Sequence, residues 1–191
     1  MEGSAKKPSY LGLLNAIALG EGRAHQYLSC WAAKTPDADV KKVIATVAIR
    51  EGEHSHAFTK RLCELGFGVQ DRPDPQFEKN MAIANADCSD LEKFEALGFG
   101  GEGRGRDPFK GVFDDESIDI KTGELLGRYI AEERDSGRML RACYNVLRER
   151  AGQSRRPAAT GSSELRDLHG RLDEICAAIG KLQQEVTALR R

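Results

Sequence analysis

"VKKVIATVAIREGEHSHAFTKRL", residues 40–62, decides the fold. Val40, Ile44, Val47, Glu51, His54, Phe58 and Leu62, continued by Leu65, recur at spacings of 3 or 4, which is one face of an α-helix. That face is apolar except at its middle, where an acid and an imidazole take consecutive places. Glu53 and His56 of the same stretch point away from the stripe and read as a solvated face. Residues three apart on a helix are neighbours, so an E-x-x-H pair aims both side chains at one point. Glu51 and His54 are therefore the pair expected to ligate a metal.

The flanking sequence repeats the pattern. A helix opened by Pro8 and reaching about Ala33 has the stripe Leu14, Ile17, Ala18, Ala24, Leu28 and Trp31, with Glu21 in its middle. "KTPDAD" then turns the chain, with Thr35 as N-cap and Pro36 as first helical residue. Residues 67–88 are a long connection, partly helical. "SDLEKFEALGF" starts a third helix, because Ser89 with Glu92 three residues on fits a capping box. Residues 98–111 are Gly-rich. Their G-x-G-x-x-G (Gly98, Gly100, Gly103) follows a helix rather than a strand, which argues against nucleotide binding. A long helix from about Ile118 to Arg150 has the expected inward stripe Leu125, Tyr129, Glu132, Asp135, Met139, Cys143 and Val146.

Beyond it, residues 151–163 read as a flexible linker, and residues 164–191 carry the heptad Leu165, Leu168, Leu172, Ile175, Ile179, Leu182, Val186 and Leu189, with His169 beside the seam. That is a coiled-coil helix about 40 Å long. Such a stripe needs a partner, so a homodimer or higher homo-oligomer is expected. The domain reading is a helical bundle over 1–150, the linker, and the coiled-coil helix.

Composition narrows the function. The chain has 191 residues, 40% of them hydrophobic and 31% charged, and a net charge of −1. This balance gives no electrostatic reason to bind nucleic acid or an anionic membrane. No apolar run approaches the roughly 20 residues of a membrane span, and "MEGSAKKPSY" lacks the apolar stretch of a signal peptide. A cytoplasmic protein is expected. The five cysteines are odd in number, widely spaced and without a C-x-x-C, which argues against a disulfide framework, a zinc knuckle or a rubredoxin-type iron centre.

Each long helix thus contributes acids to an apolar stripe: Glu21; Glu51 with His54; Glu92 or Glu95; Glu132 and Asp135. Several carboxylates buried together repel one another and lose hydration. Divalent cations would offset that cost, and one Glu from each of two helices plus an E-x-x-H from each of the other two describes a di-iron carboxylate bundle.

The segments "LGEGRAHQY", "REGEH", "EKFE" and "AEERDSGRML", in that order and with a long connection after the second, resemble the four helices of the rubrerythrin branch of the ferritin-like superfamily. The resemblance covers residues 8–150. It implies a ferritin-like antiparallel four-helix bundle, two iron ions (or manganese), and the ligands Glu21, Glu51, His54, Glu92, Glu95 and Glu132. Asp135 stands where that family has its second histidine, so the site would lean toward hard, oxygen-preferring ions. Tyr27 and Tyr129 are candidates to hydrogen-bond the ligand carboxylates. Gly20, Gly22 and Gly52 flank the ligands, and Glu124 is a substitute acid. The implied activity is oxidation chemistry on peroxide, or on oxygen with ferrous iron, in oxidative-stress defence or iron handling. Electrons would come from a separate donor, since no rubredoxin-type domain is present. The alternative is a metal-free or single-metal helical scaffold whose coiled coil mediates assembly.

Overall fold

In a computed structural model, residues 7–99 and 111–154 are described, with the side chains of residues 153 and 154 left aside. Their regular structure is all helical, without a strand: α1 (Leu11–Lys34), α2 (Ala38–Glu64), α3 (Pro75–Asn85), α4 (Asp90–Ala96) and α5 (Ile120–Ser154), with one 3-10 turn at Val112–Asp114. The chain divides between Glu149 and Arg150, and the description concerns the first unit. The coiled-coil segment 164–191 lies outside the described residues, as does most of the linker. α5 continues through Ser154, four residues into the expected linker, because the single Gly152 weakens a helix without ending it. No helix among the described residues is long and apolar enough to cross a membrane.

Local chemistry sets the ends. α2 is capped by Asp37, whose carboxylate accepts from the backbone N–H groups of Asp39 and Val40. Thr35 was the expected cap. It instead donates to Asp90 at 2.6 Å, and Asp37 takes the cap. α4 has the expected capping box between Ser89 and Glu92. It ends at once because Gly98 adopts φ 79°, and the Phe99 N–H returns to the Phe94 carbonyl at 2.9 Å.

The apolar residues form two clusters. One joins Leu28, Trp31 and Ala32 of α1, Val40, Ile44, Val47 and Ala48 of α2, Ala84 of α3, Phe94 of α4, and Leu140 and Tyr144 of α5. The other joins Tyr10 with Leu11, Leu14, Ile17 and Ala18 of α1, Phe58 and Leu62 of α2, and Leu126, Tyr129 and Ile130 of α5. Late α1 therefore meets early α2, and early α1 meets late α2, so these two run antiparallel, while α5 runs in the sense of α1. Between the clusters each helix presents a polar position: Glu21 on α1, Glu51 and His54 on α2, Glu133 on α5.

The α2 stripe is buried as expected from Val40 to Leu62, and Glu53 and His56 are exposed. The α5 stripe is not the expected one. Thr122, Leu126, Tyr129, Ile130, Ser136, Leu140 and Tyr144 are buried, while Val146 is 45% exposed. The inward face is turned by one residue, and this decides which acid enters the site.

Candidate metal centre

Glu51 and His54 are 5% and 4% exposed. The stripe that packs Ile44, Val47 and Phe58 into the two clusters carries both into the layer between them. Glu21 reaches this layer from α1 and Glu133 from α5. One ligand atom from each of Glu21, Glu51, His54 and Glu133 lies within 4.8 Å of the others.

His54 is the pivot. Its Nε2 lies 2.7 Å from Glu132 Oε2, and Glu132 Oε1 accepts from Arg128 Nε at 3.0 Å. Its Nδ1 faces the opposite way, 3.5 Å from Glu51 Oε2 and 3.4 Å from Glu133 Oε1. Those distances are within ion-pair reach, but the atoms have no hydrogen-bonding geometry. His54 Nδ1, Glu51 Oε2 and Glu133 Oε1 are buried without a hydrogen-bond partner. Orphaned buried polar atoms of this kind cost about 1–3 kcal/mol each, more when charged. Three converging on one point is what a cation would resolve.

The electrostatics show the same conflict. Burial pushes Glu21 up to about 9, reinforced by Glu51 beside it. Burial also raises Glu51, but His54 and Glu21 outweigh it and hold Glu51 below the usual carboxylate range. Glu133 is raised, by burial first and then by the Glu51 charge, with His54 opposing. Burial opposes charge on His54, yet Glu133, Glu51 and Glu132 around it carry it up to about 10. The acids repel, and without an ion they resolve the repulsion by holding protons.

Around this layer, Tyr129 donates its hydroxyl to Glu21 Oε1 at 2.5 Å, and its ring packs edge-on against His54, centroids 5.0 Å apart. Tyr129 thus orients a cluster carboxylate, as expected. Burial, and then the charges of Glu51, Glu21 and Glu133, raise the Tyr27 hydroxyl. α1 and α2 approach closely here. A Cβ on Gly52 would lie 2.9 Å from His25 Nδ1, and one on Gly22 would lie 2.9 Å from Ser55 Oγ, whereas Gly20 has open space. His25 is structural, its Nδ1–H donating to the Ala48 carbonyl at 2.6 Å.

The remaining expected ligands lie elsewhere. Glu92 is exposed at the α4 N-terminus and occupied by its capping box with Ser89, whose hydroxyl and N–H hold its carboxyl below the usual range. Glu95 is exposed, 3.4 Å from the Tyr144 hydroxyl. Both sit at the Trp31 end because α4 stops at Ala96. Asp135 is paired with Arg50 at 2.8 Å and Arg138 at 3.0 Å, which hold it below the usual range. Glu132 touches His54 from outside the cluster. Glu124 is exposed.

Sequence reasoning missed Glu133. Its signal was present: Thr122, Leu126, Ile130, Leu140 and Tyr144 form a helical stripe on which Glu133 falls. Three carboxylates and one imidazole suit a hard or borderline divalent cation such as iron or manganese, so the residues present fit the metal that the family resemblance implies. No family model, no curated protein and no solved structure matches the chain.

Proposed function

We propose that this chain is a non-haem iron or manganese oxidoreductase of the ferritin-like kind, acting on peroxide or on oxygen with ferrous iron. In this reading α1, α2 and α5 are three helices of a ferritin-like bundle and α4 is a shortened fourth. The observation that carries it is the convergence of three buried, unpartnered ligand atoms, His54 Nδ1, Glu51 Oε2 and Glu133 Oε1, between two apolar clusters. Such an arrangement is costly for a fold that binds nothing there.

Glu21, Glu51, His54 and Glu133 would hold the ion. Bound there, iron supplies redox electrons and a Lewis acid for cleaving an O–O bond. The chain's own groups prepare the place. Tyr129 fixes the Glu21 carboxylate through its hydroxyl, so this oxygen is not free to rotate. Phe58 and the Tyr129 ring, edge to face with centroids 5.2 Å apart, wall the layer on one side. Glu21, held up to about 9 by burial, and His54, held up to about 10 by the acids around it, are the groups that would release protons as a cation takes their place. Electrons for turnover come from a separate donor.

The test is peroxide consumption by the full chain loaded anaerobically with Fe(II), with and without a chemical reductant. Metal-dependent consumption is expected, falling in Glu51→Ala to the rate of the same iron free in buffer. A parent rate no faster than that of free iron overturns the proposal.

A further inference from the structure

Resting on that reading, we propose that the cluster is a one-ion site: His54 binds through Nδ1, and Glu132 is a positioning residue that aims His54 rather than a second α5 ligand.

The two nitrogens of His54 have opposite surroundings. Nε2 is 2.7 Å from Glu132 Oε2, an acceptor only, so the ring proton belongs on Nε2. Nδ1 is then the nitrogen that would give up its proton to a cation, and it faces Glu51 Oε2 and Glu133 Oε1, which also lack hydrogen-bond partners. A carboxylate on the far nitrogen of a ligating histidine fixes its tautomer and orientation and raises its basicity. Glu132 is itself anchored, its other oxygen accepting from Arg128 Nε at 3.0 Å. Arg128, Glu132 and His54 therefore form a line that ends at Nδ1. Glu132 cannot enter the cluster without releasing both Arg128 and the imidazole.

A second ion would need further ligands, and the acids available for it are engaged elsewhere. Asp135 is held between Arg50 and Arg138. Glu92 caps α4, and Glu95 lies beside Tyr144. Among the described residues, Glu21, Glu51, His54 and Glu133 are the only group of ligating side chains this close together. Adjacent acids on α5 thus divide the work: Glu133 faces the ion, and Glu132, turned by one residue, faces the back of the histidine.

The experiment is an anaerobic titration of the metal-free full chain with Co(II), read by visible absorption and by NMR of the contact-shifted ring N–H. The parent should take up one ion per chain. Glu132→Ala should keep that stoichiometry but bind about 10–100-fold more weakly, and its His54 N–H signal should be lost to exchange with water. Glu132→Gln keeps an acceptor and should recover part of the affinity and the signal. Arg128→Ala, at the exposed end of the line, tests the same chain without touching the cluster and should bind more weakly than the parent. Glu133→Ala should abolish binding. Two ions in the parent, one of them lost in Glu132→Ala, would overturn the proposal. So would unchanged affinity and N–H signal in Glu132→Ala. A parent that binds no Co(II), Mn(II) or Fe(II) overturns the metal reading itself, an outcome separate from these.

Discussion

The closeness of α1 and α2 at the cluster rests on single atoms. At Gly52 a methyl group would meet the His25 ring, with Nδ1 at 2.9 Å and two ring carbons at 3.3 Å. His25 cannot swing aside without losing its 2.6 Å bond to the Ala48 carbonyl. Overpacking of this kind costs about 1–3 kcal/mol, against about 1 kcal/mol gained from replacing a helical glycine by alanine. Gly52→Ala should therefore destabilise the metal-free protein by up to about 2 kcal/mol. At Gly20, exposed and with open space around it, only the propensity term applies, so Gly20→Ala should stabilise by up to about 1 kcal/mol. Urea unfolding of the pair checks the contrast. Equal effects would show that the helices can part at Gly52 without cost. The sequence marked Gly20, Gly22 and Gly52 alike, since spacing along one helix does not reveal what the neighbouring helix places opposite.

The helices were unequally legible. α2 could be read because its apolar stripe is interrupted by only two polar residues, so its phase has one solution. α5 offered two. Tyr129 belongs both to Leu125–Tyr129–Glu132 and to Leu126–Tyr129–Glu133, and arginines and acids fill the rest of that stretch. Packing of Leu126, Ile130, Leu140 and Tyr144 chose the second phase. α4, read from the sequence as one of four long helices, has only 7 residues and stops before Gly98, so its acids do not reach the cluster. The start of α5 is fixed by Asp119, whose carboxylate accepts from Thr122 N–H at 3.1 Å and hydroxyl at 2.7 Å, from Tyr10 at 2.7 Å and from Arg61 at 2.8 Å. One side chain thus ties the beginning of α1 and the end of α2 to α5. Burial would raise its pKa, but the Thr122, Tyr10 and Arg61 bonds outweigh burial and hold it well below the ordinary carboxylate range. A group depressed in the folded state stabilises above its unfolded value, near 3.9, and that contribution is lost as pH falls toward the folded value. The side chain is 38% exposed, so the low end of charge-assisted bonding applies, about 1–2 kcal/mol. Asp119→Asn should be less stable than the parent by that amount at pH 7, with the gap narrowing as pH drops below about 4. A gap that is constant between pH 7 and pH 3 would mean that the charge contributes nothing.

At the scale of the whole unit, the cluster divides what would otherwise be one continuous apolar core into two. Glu21, Glu51, His54 and Glu133 occupy the layer where packing alone would favour leucine. Replacing buried charged groups by apolar side chains of similar volume is often neutral or stabilising by about 1–4 kcal/mol, so the metal-free parent should be less stable than its core size suggests. A cation that binds only the folded state adds RT ln(1 + [L]/Kd), about 2.7 kcal/mol at a hundredfold excess over Kd. For a unit of this length that corresponds to a rise in Tm of about 5–10 °C. Glu51→Leu separates the two effects. With a chelator present it should melt at or above the temperature of the parent, because relief of the repulsion among Glu21, Glu51 and Glu133 and a packed apolar side chain outweigh the lost attraction to His54, which keeps Glu132 and Glu133 beside it. With Mn(II) added, the parent should rise and the variant should stay where it was, so the order of the two melting temperatures reverses. Calorimetry of both proteins, each with chelator and with Mn(II), makes the comparison. If Glu51→Leu melts well below the chelated parent, Glu51 is serving the fold rather than an ion, and the polar layer is structural.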